Sequence, residues 1–385
     1  MHAPAKIEAD WGDPPWKIDF TPPAVPVPTE TDFAVIGAGF TGLAAAAWLK
    51  HSDRSKSVAV FEAGRIGSGA SGRTGGMALA ESAAGDLPGL GGVLGGVEKI
   101  FTEFGIECEL SLPGALEIAR NSQPLRGSRI DWTDAGQLHA TAEVAGGTLN
   151  PGKVAGGLAR AAHERGALIL ENARIGRVDW GERPLLHLAG NNHGTVRAGK
   201  ILFATNALSL PLSGIEANGM GARLTLAIAT EPLKDEALHA LGLDDGKPFY
   251  TADLPYLWGR TCADNSVIFG GGLLAAAGSD DLSSVSVHST EAAAQFASLK
   301  NRVRGLHPVL KNVRFTHEWG GPILFRGSWA PVFDWHPEGK RSAIVLGAFA
   351  GHGVMLSSYL GCWAAEALLG QRDLPSWGRL GEEGS

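Results

Sequence analysis

Unbroken apolar runs that close on glycine mark both ends of this chain, whereas the region from about residue 220 to 333 alternates apolar with polar positions. The run 33–36, entered through Asp32, reads as a parallel strand buried on both faces. An alanine-rich helix follows it, and Val58–Phe61 reads as a second buried strand. Another helix opens with Asn150 as N-cap and Pro151 at its first position, runs through Val154, Leu158, Ala161 and Ala162, and stops at Gly166. Strands follow at 168–171, 201–204 and 342–346. In the alternating region, runs 223–230 and 267–269 are separated by turns such as 263–266 and predict an antiparallel sheet, with a helix over 289–303.

These elements predict an α/β fold with a Rossmann-like nucleotide-binding domain built from non-contiguous segments (31–85, 151–215 and 335–372). A second domain (86–150 and 216–334) carries a mainly antiparallel sheet with flanking helices. At 385 residues the chain exceeds one ordinary core, which agrees with two domains. Within residues 1–30, Pro14, Pro15, Pro22, Pro23, Pro26 and Pro28 forbid a long helix and predict an extended arm over the body, anchored by Trp11 and Trp16.

The turn after the first strand reads Gly37-Ala-Gly39-Phe-Thr-Gly42. Gly37 permits the tight turn, Gly39 lets backbone amides approach a pyrophosphate, and Gly42 lets helix and strand pack closely. The helix N-terminus then faces the anion. Glu62 closes the second strand, where a carboxylate binds both ribose hydroxyls of an adenosine and repels a 2′-phosphate. In a chain with 54 glycines the motif alone carries little; strand, helix and acid falling in place around it carry the reading.

Two more glycine segments extend this picture. Loop 64–76 interleaves Ser68, Ser71 and Thr74 with glycines, and directly follows the nucleotide-binding unit. The stretch 347–353, Gly-Ala-Phe-Ala-Gly-His-Gly, ends a strand and leads into a helix, so backbone amides face a ligand there too.

Composition narrows the partners. Thirty-three basic and 40 acidic residues give a net charge of −7 without a basic run, which argues against nucleic acid. The longest apolar stretches fall short of a membrane span, and an acidic, proline-bearing N-terminus does not read as a signal peptide, so a cytoplasmic location is expected. Cys108, Cys262 and Cys362 are too few and too scattered for a disulfide framework or a zinc site.

Taken in order from about residue 30 to 370, segments 32–42, Val58 to Glu62, 69–76, 203–207, 229–232, 268–271 and 347–353 resemble the D-amino acid oxidase superfamily of FAD-dependent oxidoreductases. The branch resembled is that of glycine oxidase, sarcosine oxidase and γ-glutamylputrescine oxidase. The resemblance implies FAD at the nucleotide site, with Gly37, Gly39, Phe40, Thr41 and Gly42 at the pyrophosphate, and Glu62 and Ala63 at the adenosine. It implies Gly69, Ala70, Ser71, Arg73, Thr74, Gly75, Gly76 and Met77 on the flavin side, with Ile175, Ala204, Thr205 and Asn206 completing the wall. Gly347, Ala348, Gly351, His352, Gly353, Val354 and Met355 would border the isoalloxazine ring.

Two departures from the family matter. Residues 313–335 contain no cysteine to tether the flavin, so non-covalent FAD is expected. Where relatives carry an oxygen-activating lysine, this chain reads Val267-Ile268-Phe269, so electrons pass to O2, giving H2O2, or to another acceptor.

The implied reaction is oxidation of a primary or secondary amine, an amino acid, N-methyl amino acid or polyamine derivative, by hydride transfer to flavin N5; the imine formed then hydrolyses. Candidate site residues are Tyr256, Trp258, Arg260, Trp319 and His352. Arg260 reads either as a bidentate fork for a carboxylate or as a surface salt bridge. Phe325 and Trp329 join Trp319 as candidates for an aromatic pocket or plain core. The alternatives are a flavin-carrying electron-transfer subunit that needs a partner, or an NAD-dependent dehydrogenase, which has no need of the second and third glycine segments. A small-molecule amine, an electron acceptor and a second copy of the chain are the partners considered.

Overall fold

Two eight-stranded sheets interleave along the chain. The computed structural model describes residues 10–190, 194–216 and 220–381. In the first sheet the order is Val332–Trp335, Ala343–Gly347, Thr195–Phe203, Glu30–Ile36, Val58–Phe61 and Leu168–Leu170, with Leu185–Leu188 and Ile175–Asp179 attached through Thr195–Phe203. The five strands from Ala343–Gly347 to Leu168–Leu170 run parallel. All four residues of Val58–Phe61 are buried, as expected of a strand covered on both faces. Register aligns Ile36 with both Phe61 and Phe203, and Phe203 with Val345. The four glycine- or polar-rich turns that follow these strands therefore meet at one sheet edge, the carboxyl edge where such sheets bind ligands.

Helices Phe40–Ser52, Val93–Phe104, Pro151–Glu164 and Gly353–Leu369 share one apolar core with this sheet. Gly361 lets the last of these close on the first: a Cβ there would stand 2.5 Å from the Thr41 carbonyl oxygen. The helix foreseen from Asn150 forms as Pro151–Glu164, and the Asn150 side chain accepts from the Lys153 N–H at 3.2 Å. Asn150→Ala is expected to remove about 1 kcal/mol of unfolding free energy in urea titration, with FAD content unchanged.

The second sheet runs Phe315–Phe325, Gly221–Thr230, Val267–Leu274, Trp258–Thr261, Phe249–Thr251, Ala115–Arg120, Gln137–Val144 and Asp131–Thr133. Its pairs are antiparallel except Phe249–Thr251 with Ala115–Arg120. Helix Thr290–Leu306, capped by Ser289, buries Ala292, Phe296, Leu299, Val303 and Leu306. The expected strand at 267–269 continues through three glycines to Leu274.

The N-terminal arm is visible from residue 10. It has neither helix nor extended strand up to Thr29, and Trp11 is buried at 4 % exposure. Residues 1–9 of the expected arm lie outside the described residues. No helix among the described residues is long and apolar enough to cross a membrane.

Candidate active site

The first turn is built by sterics. Gly37 has φ +105, and a Cβ there would lie 2.7 Å from the Ala204 carbonyl oxygen. At Gly42 a Cβ would stand 1.9 Å from the Gly37 oxygen, so neither position accepts a larger residue. Gly39 caps the helix without a side-chain bond, and the next amide, of Phe40, donates to Ser71 Oγ at 2.9 Å. Loop 64–76 is thereby tied to the helix N-terminus, and its Gly67 amide donates to the Ala38 oxygen.

Glu62 sits inside this turn. Its two carboxylate oxygens accept from the Ala38 and Gly64 amides, each at 2.8 Å. Burial raises its pKa above the ordinary glutamate value, with the amides pulling against it. Ala63 beside it is exposed. Ile175 is buried two residues past Ala173, whose N–H donates to the Glu62 carbonyl.

At the same edge, Thr205 Oγ1 is buried without a hydrogen-bond partner, as are Ser357 Oγ and Ser358 Oγ in the last helix. Asn206 ties two turns together: its Oδ1 accepts from the Ala348 N–H at 2.8 Å. The terminal glycine turn is strained, with Ala348, Ala350 and Gly351 all at positive φ. His352 caps the final helix; Nδ1 lies 3.4 Å from the Ala350 oxygen, and burial lowers its pKa below 6.5, so the ring is neutral at pH 7. Val354 and Met355 are buried behind it.

The second sheet turns one face toward loop 64–76. Directly opposed residues across five strand pairs form the row Glu117, Tyr250, Trp258, Gly270, Ala227, Trp319. Opposed residues share a face, so this row is one surface. Trp258 occupies the space that glycines leave: a Cβ on Gly75 or Gly270 would fall 2.1 or 2.0 Å from its ring. Trp319, fully buried, donates from Nε1 to the Arg73 oxygen at 2.8 Å. Burial, then Glu117 and Glu81, raise the Tyr250 pKa.

Arg260 corrects one of its two readings. It is 5 % exposed, donates from Nε to the Gly75 oxygen at 2.6 Å, and lies 5.7 Å over the Trp16 ring, so it is buried rather than on the surface, and it has no salt bridge among the described residues. Tyr256 stands on the exposed turn beside Leu254, whose exposure is 83 %. Phe325 and Trp329 pair edge-on at 5.5 Å, with Trp329 exposed and Phe325 buried on the strand that carries Trp319. Glu117, Ser357 and Ser358 were not singled out from the sequence, and Tyr250 only as the start of the candidate stretch 250–260. Among the described residues no cluster of three or more His, Cys, Asp and Glu side chains forms a metal centre.

A family model described as FAD-dependent oxidoreductase (DAO) matches residues 32–367. The chain is 27 % identical to the probable oxidoreductase OrdL of Haemophilus influenzae, over 91 % of this chain and 86 % of that one. It is 26 % identical to gamma-glutamylputrescine oxidoreductase of Escherichia coli, over 89 % and 84 %. In fold it resembles the crystal structure of glycine oxidase from Geobacillus kaustophilus, with TM-score 0.68, 18 % identity, and 90 % and 96 % of the two chains covered.

Proposed function

The chain belongs to the DAO family of FAD-dependent oxidoreductases, and from that premise we propose that it oxidises a small amine or amino acid with non-covalently held FAD. The observation that carries this reading is the meeting of the glycine-turn edge with the row Glu117, Tyr250, Trp258. The residues present fit FAD: Gly37 and Gly42 leave backbone room, the helix at Phe40 has no side-chain cap, and Thr205 Oγ1 is a buried hydroxyl in want of a partner. Bound FAD supplies a hydride acceptor at N5.

The chain's own contribution is positioning. Gly37 to Gly42 and Glu62 hold the nucleotide end, and Trp258 with Tyr250 forms an aromatic wall against which a substrate is oriented. The neutral His352 and the positive end of the final helix stabilise negative charge without releasing a proton. Hydride transfer requires the free amine, so the rate of flavin reduction should rise with pH as the substrate ammonium deprotonates. Because His352 is already neutral, H352Q is expected to lower the rate while leaving the shape of the profile between about pH 7 and 9 in place; stopped-flow reduction measures both.

Anaerobic mixing of the yellow protein with a panel of amines, amino acids and N-methyl amino acids tests the proposal. Bleaching by one class supports it, and a flavin inert to the whole panel overturns it. One observation favours transfer of electrons to a partner over direct oxidase action. Ile268 lies in an apolar cluster with Ala227, Ala229 and Trp319, packed against Trp16, and the strand Val267-Ile268-Phe269 carries no lysine. Slow recovery of the yellow band in air agrees with that second reading, and fast recovery with peroxide rules it out.

A further inference from the structure

The arm does more than lie on the surface. Asp10 accepts from the Val287 amide at 2.9 Å, the buried Trp11 donates from Nε1 to the Val285 oxygen at 3.0 Å, and the Trp11 oxygen accepts from the Gly320 amide at 2.7 Å. Gly12 makes an antiparallel bridge to Trp319. This first stretch is therefore joined to the second sheet. The following stretch is joined to the first domain: a Cβ on Gly152 would lie 2.3 Å from the Lys17 oxygen, and one on Gly67 2.6 Å from Ile18 Cδ1. Between these two attachments the arm meets loop 64–76.

There the loop's carbonyls are held one after another by side chains. Arg73 Nε donates to the Ser68 oxygen at 3.1 Å, Trp16 Nε1 to Gly72 at 2.8 Å, Trp319 Nε1 to Arg73 at 2.8 Å, and Arg260 Nε to Gly75 at 2.6 Å. The arm governs all four. Trp16 is itself one donor, and its ring packs edge-on against Trp319 at 5.8 Å and carries the Arg260 guanidinium at 5.7 Å. Arg73 is anchored through Nη1 to the Trp11 and Gly12 oxygens, with its guanidinium 5.7 Å over the Trp11 ring. Arg260 is 5 % exposed, and its one side-chain hydrogen bond among the described residues goes to the loop, at the Gly75 oxygen.

We infer that residues 10–20 form a cofactor strap: docked across both sheets, the arm fixes the shape of loop 64–76, and FAD is retained only while it is docked. Trp16 is its positioning residue. The inference rests on the cofactor reading above, in which this loop borders FAD. Because the loop's conformation is shared by arm and cofactor, their docking is coupled, and coupling is reciprocal: whatever the arm adds to FAD affinity, FAD adds to the arm's attachment.

Two measurements on the full-length chain test this. W16F keeps a ring and removes only the N–H donor, whereas W16A removes both. The FAD dissociation constant, read by flavin fluorescence, is expected to rise about fivefold in W16F and about twentyfold or more in W16A. In the wild-type protein, FAD addition is expected to slow amide exchange across residues 10–20 at least about fivefold, a readout that needs no mutant to fold. FAD affinity of folded W16F and W16A within twofold of wild type overturns the strap, as does arm exchange indifferent to FAD. A wild-type protein that takes up no FAD overturns the cofactor reading itself, whereas FAD bound but unbleached by amines overturns only the proposed substrate class.

Discussion

Glu62→Ala should raise the dissociation constant for FAD by roughly a hundredfold, the largest single-residue effect on cofactor binding expected in this chain. The carboxylate accepts two backbone amides at 2.8 Å, from Ala38 in the glycine turn and Gly64 at the start of the loop, so it ties the glycine turn to loop 64–76. Alanine frees both amides and, on the proposed cofactor reading, removes the acceptor for the adenosine ribose. Hydrogen bonds to a charged group contribute about 1.5–3 kcal/mol each, and about 1.4 kcal/mol is tenfold in affinity, so the loss of even one to two such bonds reaches that magnitude. Glu62→Gln keeps the shape and one acceptor oxygen, and should fall between, about tenfold weaker than wild type. Titration of the apoprotein with FAD by fluorescence quenching measures both, and an alanine variant within threefold of wild type would sink the ribose assignment.

Asp134→Asn should cost about 3–5 kcal/mol of stability, as breaking one partner out of a buried ion pair does. Asp134 lies between Arg302, which donates from Nε and Nη2 at 3.0 and 2.6 Å, and Arg120; the side chains of Asp134 and Arg120 are 8 % and 7 % exposed. Arg302 also donates to the Pro255 and Tyr256 oxygens at 2.7 and 2.9 Å, and Arg120 pairs with Asp253. The network therefore secures the turn that leads into Trp258, and its loss should both lower the urea midpoint and loosen the aromatic wall. Burial works to raise the Asp134 pKa, but the Arg302 and Arg120 guanidiniums outweigh it and hold it below the usual 3.8. A depressed carboxyl pKa contributes stability that is complete above its unfolded value and is lost as pH falls through the folded one. The difference between wild type and D134N should accordingly persist from pH 7 down to about 4 and shrink below that.

What the sequence made legible was local. The strand, glycine turn, helix and Glu62 announce themselves within one βαβ unit, since each signal depends only on neighbours in the chain. Asn150 and Pro151 did the same for the helix they open. The row Glu117, Tyr250, Trp258 was not legible, because it depends on register between strands as short as the three residues of Phe249–Thr251, with partners more than a hundred residues apart. Helix Val93–Phe104 buries Val93, Val97, Ile100, Phe101 and Phe104 at helical spacing, but Gly95 and Gly96 hid it among the glycine-rich loops. Arg260 shows the limit most plainly: its residue type suggested an anion or a surface partner, and only the fold brings the Gly75 carbonyl to its Nε.

The interleaving of the two sheets also sets the order of events at the ribosome. Strand Thr195–Phe203 emerges early and pairs at 195–197 with Leu185–Leu188, but its end at 201–203 keeps one edge open until Ala343–Gly347 arrives, about 140 residues later, which at roughly 5–20 residues per second takes about 7 to 28 s. During that interval five strands of the antiparallel sheet, from Gly221–Thr230 to Phe315–Phe325, are synthesised beside an unpaired, apolar edge of the kind that templates aggregation. Newly made chains should therefore need protection by a chaperone through this window, and a nascent chain halted before residue 343 should be insoluble even though its glycine turn is already complete.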